Sequence, residues 1–518
     1  MLFQLPCPPK WVSFAIAYIL SVLSGWSPPG DSYYEVDTLN DSYDFIVVGG
    51  GSGGSVAANR LSAVSSVRVL LIEAGGGPNA AIEIPALFGV HNACPIDWGY
   101  TTVPQKNACL ALEEQRSRWT RGKVLGGSSA INGMVYVRGN KRDYDQWAEN
   151  GATGWSYKDV LPYFKSIESF HIAEYAENGY HGKEGELPIA YSSIHSASGD
   201  AFLQACKERH YEHVDYNGPS QTGCSRAQLN IQDGRRVSSA KAFILPIVKE
   251  RPSLHVTLRS TATKIEFDGQ RAVGVHFEKD GVRHYIQATK EIILSAGAIA
   301  SPQLLLLSGI GPKEHLQEHK IDVVADLPVG QNLQDHPFVG GLTATVQPDS
   351  TLQTRTLSAL VSYLLHRDGP LSVPAGLEGL AFLNTHFMNA SLDFPDVELI
   401  YAGSSPSSEE SERYYRDMGL KQEVYDKYFL PKRGQEGIQV YTVLNRLKST
   451  GELKLKSSNP HDHPLIDPKY YSHPEDILVA IEAAKKTLEI FDTKALKSIG
   501  AKRWDISLPG CEEKNLLE

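Results

Sequence analysis

The clearest apolar pattern in the chain is Asp44-Phe45-Ile46-Val47-Val48, an unbroken run rich in β-branched residues. Such a run predicts a strand buried on both faces of a parallel sheet. It leads directly into Gly49-Gly50-Gly51-Ser52-Gly53-Gly54, and a helical stretch over 55–61 follows. A second buried strand is predicted over 67–72, ending at Glu73. Further along, 255–267 and 272–277 read as strands of a small meander, and 291–295 as another buried strand. No internal repeat and no low-complexity segment interrupts the chain.

A lone glycine triplet is weak information. One placed between a strand and a helix, with an acid about twenty residues on, is strong. Gly49 permits the tight turn, Gly51 lets the backbone approach a pyrophosphate, and Gly54 lets helix and strand pack closely. The helix N-terminus then offers free N–H groups and partial positive charge to a diphosphate. Glu73 can accept hydrogen bonds from ribose hydroxyls, and an acid there disfavours a 2'-phosphate. This pattern does not separate NAD from FAD. A second glycine- and serine-rich run, Arg121-Gly122-Lys123-Val124-Leu125-Gly126-Gly127-Ser128-Ser129-Ala130-Ile131-Asn132-Gly133-Met134-Val135-Tyr136-Val137-Arg138-Gly139, bears on that choice.

At 518 residues the chain exceeds a single core, and 42% hydrophobic with 21% charged residues places it among folded globular proteins. A formal net charge of -10, uncompensated by any basic run, gives no electrostatic reason to bind nucleic acid. An apolar stretch over 11–23, preceded by Lys10 and followed by Ser24, Gly25 and Pro28-Pro29-Gly30, has the layout of a signal peptide over 1–25. It is shorter than the ~20 residues that cross a bilayer, so a secreted protein without a stable membrane anchor is expected over a membrane-anchored one. The sequons at Asn40 and Asn389 fit that route. Loss of the leader removes Cys7 and leaves Cys94, Cys109, Cys206, Cys224 and Cys511. This odd set lacks CxxC spacing, so metal binding is not expected. Cys94 with Cys109 is the favoured bridge, and two separate buried thiols the alternative.

The second glycine-rich run resembles the first signature of the glucose-methanol-choline oxidoreductases. The chain resembles their second signature at Gly297-Ala298-Ile299-Ala300-Ser301-Pro302-Gln303-Leu304, continuing to Ser308-Gly309-Ile310-Gly311-Pro312. Gly154-Trp155-Ser156-Tyr157, His181-Gly182 and Gly330-Gln331-Asn332-Leu333-Gln334-Asp335-His336 also match, and the resemblance runs from about Tyr43 onward, nearest the FAD-dependent glucose dehydrogenase group of animals. The resemblance implies an α/β (α+β) two-lobed fold. A Rossmann-like FAD-binding domain over 40–165 and 253–340 would join an antiparallel-sheet substrate domain over 166–252 and 341–510, each discontinuous in sequence. It implies FAD contacts at Gly49, Gly51, Ser52, Gly54, Glu73, Arg121, Val124, Gly126, Ser129, Asn132, Gly133, Met134, Val135 and Ala262. Family members that link the flavin covalently use a histidine just before the asparagine; Ile131 stands there, so FAD is expected to be noncovalent.

The resemblance also implies the reaction: a hydride passes from an alcohol or sugar CH–OH carbon to flavin N5, a histidine takes the hydroxyl proton, and quinone or oxygen accepts the electrons. The family's histidine segment near the C-terminus has no match here, so a chain shortened at its C-terminus, with no assigned catalytic histidine and slow turnover, is expected. His461, His463 and His473 read as surface histidines. The alternative function is a catalytically incompetent FAD-binding or interaction protein. Substrate specificity would lie over 342–439.

Overall fold

The first predicted strand forms as β1 (Ser42–Val48), followed by helix α1 (Ser52–Ser62) and strand β2 (Val69–Ile72). The computed structural model describes residues 28–510 apart from 37 and 390, so the expected leader, Cys7 and Cys511 lie outside the described residues. Val47, Leu70 and Leu71 are fully buried, as the unbroken apolar runs require of strands covered on both faces.

The region predicted as one strand over 255–267 is two. Strand β3 (Leu254–Thr257) lies parallel to β2, and β4 (Ser260–Asp268) starts a separate antiparallel meander. The break falls at Arg259, whose φ of 52° no continuous strand accommodates. Strand β5 (Arg271–Lys279) then returns to β6 (Val282–Leu294). The buried strand expected over 291–295 is only the end of this β6. Its first half is largely exposed and polar, which hid it from an apolar pattern. The six-stranded sheet runs β3-β2-β1-β6-β5-β4: β6 pairs antiparallel with β5 at one end and parallel with β1 at the other, joining meander to parallel core.

A second sheet is antiparallel throughout. Strands β7 (Thr343–Thr345), β8 (Leu377–Leu383), β9 (Val397–Ala402) and β10 (Gly437–Leu444) lie in the order β7-β10-β9-β8, with Lys502–Arg503 and Gly223–Arg226 at the edges. One face packs Val397, Leu399, Tyr401, Ile438 and Val440 against helices Ala197–Glu208 and Pro474–Phe491. On the other, Leu380, Phe382 and Ile400 meet Val135 and Val137 from the second glycine-rich run. The two-lobed α/β architecture is therefore joined by a loop that belongs to both sheets. No helix among the described residues is long and apolar enough to cross a membrane.

The expected Cys94–Cys109 bridge does not form. Cys109 is a free thiol, Cys94 is disulfide-bonded elsewhere, and Cys206 is joined to Cys224. The physical reason is placement. Cys94 packs with Ala81, Ile84 and Tyr363, whereas Cys109 packs in a different core with Tyr100 and Trp119.

Beneath the second glycine-rich run lies a buried ionic cluster. Both ring nitrogens of His181 face carboxylates, Nδ1 at 3.2 Å from Glu168 and Nε2 at 2.7 Å from Asp215, and Phe170 stacks on the ring. Arg138 donates from Nε (2.9 Å) and Nη2 to the same Glu168, which also accepts from Tyr136. Two acceptors on one imidazole favour its doubly protonated form. Burial alone would lower the His181 pKa, but the bonds to Asp215 and Glu168 outweigh it and raise it; the same pairs hold both carboxyls below their ordinary range against burial. The imidazolium's contribution is thus complete below the ordinary histidine pKa of about 6.5 and is lost as pH rises through the raised value. The carboxylates' contribution is present above about 4 and is lost as pH falls. His181→Gln is expected to cost about 3 kcal/mol near pH 5.5. Denaturant unfolding should show that gap narrowing by pH 9; a gap that does not change with pH would show that His181 is neutral in the folded chain.

Candidate cofactor site

Three strand ends converge where the glycine-rich segments predict a nucleotide. The N–H of Gly49 donates to Ile72 at the end of β2 (2.8 Å), and that of Ser295, just after β6, donates to Val48 at the end of β1 (2.9 Å). Gly49 has φ of 98°, and a Cβ there would stand 2.6 Å from the Ser295 carbonyl oxygen, so only glycine turns the chain at this point. A Cβ on Gly54 would lie 1.9 Å from the Gly49 oxygen. The absence of that carbon is what lets α1 pack against the turn.

The second run folds back onto the first. Gly126 donates to the Gly50 carbonyl (2.8 Å), and a Cβ on Gly127 would come within 2.7 Å of the Gly51 Cα. Two main chains therefore approach closely at the N-terminus of α1, whose N-cap, Gly51, supplies no side-chain cap. Unblocked N–H groups at a helix start are a ready anion site.

Between these loops opens a cavity of about 320 Å³. Gly49, Gly51, Ser52, Glu73, Arg121 and Ala262 line it, among the residues the sequence singled out. Gly54 lies behind the turn, as its contact with Gly49 requires. Val124 is fully buried with Ile82, Ala130 and Ile131 behind the second loop, and Gly126 faces Ser238 and Ala240. Ser129 donates to the Gly126 carbonyl (2.6 Å), and Asn132 is exposed further along the same loop. Gly133 abuts Leu377, Met134 is buried with Ala227, Leu229 and Ile231, and Val135 packs on the second sheet. The cavity is thus lined by six of the fourteen expected residues; Gly54, Val124, Gly126 and Ser129 lie behind that lining, and Asn132 to Val135 lie where the loop reaches the other lobe.

Sequence reasoning passed over the cavity's aromatic wall. Trp98 and Tyr100 stack with ring centroids 5.8 Å apart and 10° between planes, and the Lys123 ammonium sits 4.6 Å over the Trp98 ring. The available signal was an aromatic pair flanking Gly99. Residues Ser295 to Ala300, entering helix α2 (Gly297–Leu307), close the opposite side; those from Gly297 on lie in the second signature, which had pointed to a family without assigning contacts. His461, His463 and His473 do not line the cavity: His461 bonds Glu278 (2.8 Å), His463 packs on Tyr100, and His473 caps helix Pro474–Phe491.

Glu73 is 5% exposed and its carboxylate does more than the sequence suggests. Oε2 accepts from Gly50 N–H (2.8 Å) and Oε1 from Gly75 N–H (2.8 Å), so it clamps the turns after both β1 and β2. Burial pushes its pKa up to about 7, with the two backbone donors acting in the opposite direction. Each oxygen retains a lone pair toward the cavity that it lines. A diol would suit those acceptors.

The glycine contacts separate two neighbouring substitutions. At Gly53 a Cβ would meet only the Ser295 Cβ, at 4.0 Å. Gly53→Ala should leave the ligand-free chain unchanged or stabilise it by about 0.5–1 kcal/mol, the ordinary helix gain. Gly54→Ala should cost about 2–4 kcal/mol by forcing α1 off the turn. Thermal unfolding of both distinguishes close packing from general loop tolerance; equal melting temperatures would refute it.

The description "GMC oxidoreductase" (glucose-methanol-choline) matches residues 43–338, and its C-terminal counterpart matches 448–515, so the expected C-terminal shortening is not evident in these matches. The chain is 38% identical over 474 residues to glucose dehydrogenase (FAD, quinone) of Drosophila melanogaster, covering 91% of this chain and 73% of that protein. It is 36% identical over 472 residues to mitochondrial choline dehydrogenase of Mus musculus, covering 88% and 74%. Among solved structures, pyridoxine 4-oxidase of Mesorbium loti superposes with a TM-score of 0.75 at 26% identity, covering 91% of this chain and 84% of that one. Formate oxidase of Aspergillus oryzae RIB40 shares the fold, with a TM-score of 0.78 at 24% identity over 92% and 86% of the two chains. The first of the two family matches alone spans more than half of the chain, and both glycine-rich loops that form the cavity lie inside it; the chain belongs to the GMC oxidoreductase family.

Proposed function

We propose that the chain is an FAD-dependent oxidoreductase acting on the CH–OH group of an alcohol or sugar. The observation that carries this reading is the contact of two glycine-rich loops, Gly51 against Gly127, at the start of α1, with Glu73 at the end of β2 in the same cavity. A dinucleotide needs backbone approach, helix N–H donors and a ribose acceptor together, and these residues supply all three. Ser52 and the α1 terminus would hold the diphosphate, Glu73 the adenosine ribose, and Ala262 the adenine side. Arg121, Val124, Gly126, Ser129, Asn132, Gly133, Met134 and Val135 would carry or support the loop toward the ring system. When bound, the flavin supplies the hydride acceptor.

The Drosophila and mouse relatives are named as dehydrogenases, which favours turnover over the alternative of a binding protein. Quinone or oxygen would serve as acceptor. Among the described residues no histidine lines the cavity, so none of them is assigned as base. The division into a cofactor domain over 40–165 and 253–340 and a substrate domain over 166–252 and 341–510 is part of this proposal, and the sorting of strands over 42–72 and 254–294 into one sheet and those over 343–444 into another supports it. The leader layout over 11–23 and the Cys206–Cys224 disulfide support secretion, since such bonds persist in oxidising compartments. Secreted material whose N-terminus begins near Trp26 would bear this out, and a membrane-bound form retaining Met1 would contradict it.

Measured at about pH 8.5, above the raised Glu73 pKa of about 7, Glu73→Ala should weaken FAD binding by about 1.5–3 kcal/mol through loss of a charge-assisted acceptor. Fluorescence titration with FAD measures it, and an unchanged dissociation constant would reduce Glu73 to a clamp for the turns. With Ile131 at the linkage position, acid precipitation of the reconstituted protein should leave all flavin in the supernatant. A yellow pellet would contradict the noncovalent reading.

A further inference from the structure

Arg236 is among the largest side chains fully removed from solvent, at 1% exposure. A buried guanidinium ordinarily answers its desolvation with a carboxylate. This one does not. Among the described residues its hydrogen bonds go to neutral acceptors: Nε donates to the Ile82 carbonyl (2.8 Å), and Nη1 donates to the Ser129 carbonyl (3.0 Å) and to Asn132 Oδ1 (2.7 Å). Glu83, whose charge it feels, is ion-paired with Lys241 instead. Burial pulls the Arg236 pKa down to about 9, so it remains charged at neutral pH. A fixed cation is therefore spent on shaping one loop.

The Asn132 amide shows what is shaped. Its Oδ1 accepts from Arg236 Nη1 and from the N–H of Met134 (3.0 Å), a residue with φ of 63°. Two donors on the same atom fix which end of the amide is oxygen. Nδ2 is then the free end of the amide: it has no hydrogen-bond partner among the described residues, and Asn132 is exposed. Ser128, one short turn earlier on the loop, lines the cavity.

We propose that Arg236 is a positioning residue for the cofactor: it locks the Asn132 amide so that Nδ2 is presented as a donor to the flavin. The proposal rests on the reading of Asn132 as a cofactor contact. Its distinctive consequence is coupling. Of the three acceptors of Arg236, two are main-chain carbonyls and only the Asn132 amide carries a side-chain donor of its own, so removing either Arg236 or that amide should disable the same interaction.

The test is a double-mutant cycle on the full chain reconstituted with FAD, reading the dissociation constant by fluorescence titration and the visible circular dichroism of the bound flavin. Arg236→Met and Asn132→Ala are each expected to weaken binding about tenfold, and the double variant to be no weaker than the worse single variant. Both singles should shift the flavin dichroism in the same way, which a general loss of stability would not do. Additive losses would overturn the proposal, because Arg236 would then act independently of Asn132. An unchanged affinity in Asn132→Ala would instead remove the underlying reading of that residue. If Arg236→Met does not fold, the cycle is run with Arg236→Lys, which keeps the charge but loses the planar fork. Its loss of affinity must likewise vanish in the Asn132→Ala background, and persistence of that loss would overturn the proposal.

Discussion

The site depends on main chains coming together without side chains between them. The turn after β1 rests against Ser295 after β6, α1 rests against that turn, and the second glycine-rich run rests on Gly51. Each approach is closer than any Cβ permits at Gly49, Gly54 and Gly127. The strand ends are held at this spacing by a parallel ladder, with Val47 and Val48 paired to β2 on one side and β6 on the other. A rigid sheet end and side-chain-free turns together leave a space in which backbone N–H groups face a ligand.

Buried charge surrounds this arrangement, and each charged group fastens segments far apart in sequence. Glu73 holds the turns after β1 and β2 through backbone N–H groups. Arg236 ties the segment at Ile82 to the loop at Ser129 and Asn132. The Arg138, Glu168, His181 and Asp215 cluster fastens the end of the second glycine-rich run to the segments that carry Glu168, His181 and Asp215. Such groups are costly to bury, and breaking one leaves its partner uncompensated. Their energetic role is to specify one arrangement of loops that hydrophobic contacts alone, being non-directional, would leave loosely defined.

The second glycine-rich run is where the two lobes meet. Its first half follows the cofactor turn, while Met134 and Val135 are absorbed into cores with Leu229, Leu380 and Phe382. A substitution in the second sheet can therefore move the cofactor loop without touching the cavity.

The sequence by itself determined the β1, α1, β2 unit, the turn glycines and the acid at its end, because these are local: period, strand length and glycine placement are written in adjacent residues. The family motifs carried the cofactor and the two-lobed plan. What only the tertiary structure decided is everything that joins distant segments. The break at Arg259 and the polar first half of β6 carry no apolar period, so pattern reading merged one and missed the other. Cys206 pairs with Cys224 because helix Ala197–Glu208 packs across the second sheet, which no cysteine spacing announces. The Trp98 and Tyr100 wall, the double clamp of Glu73 and the reach of Arg236 to Asn132 arise from packing between residues far apart in the chain. Their chemistry is set by neighbours that sequence order does not name.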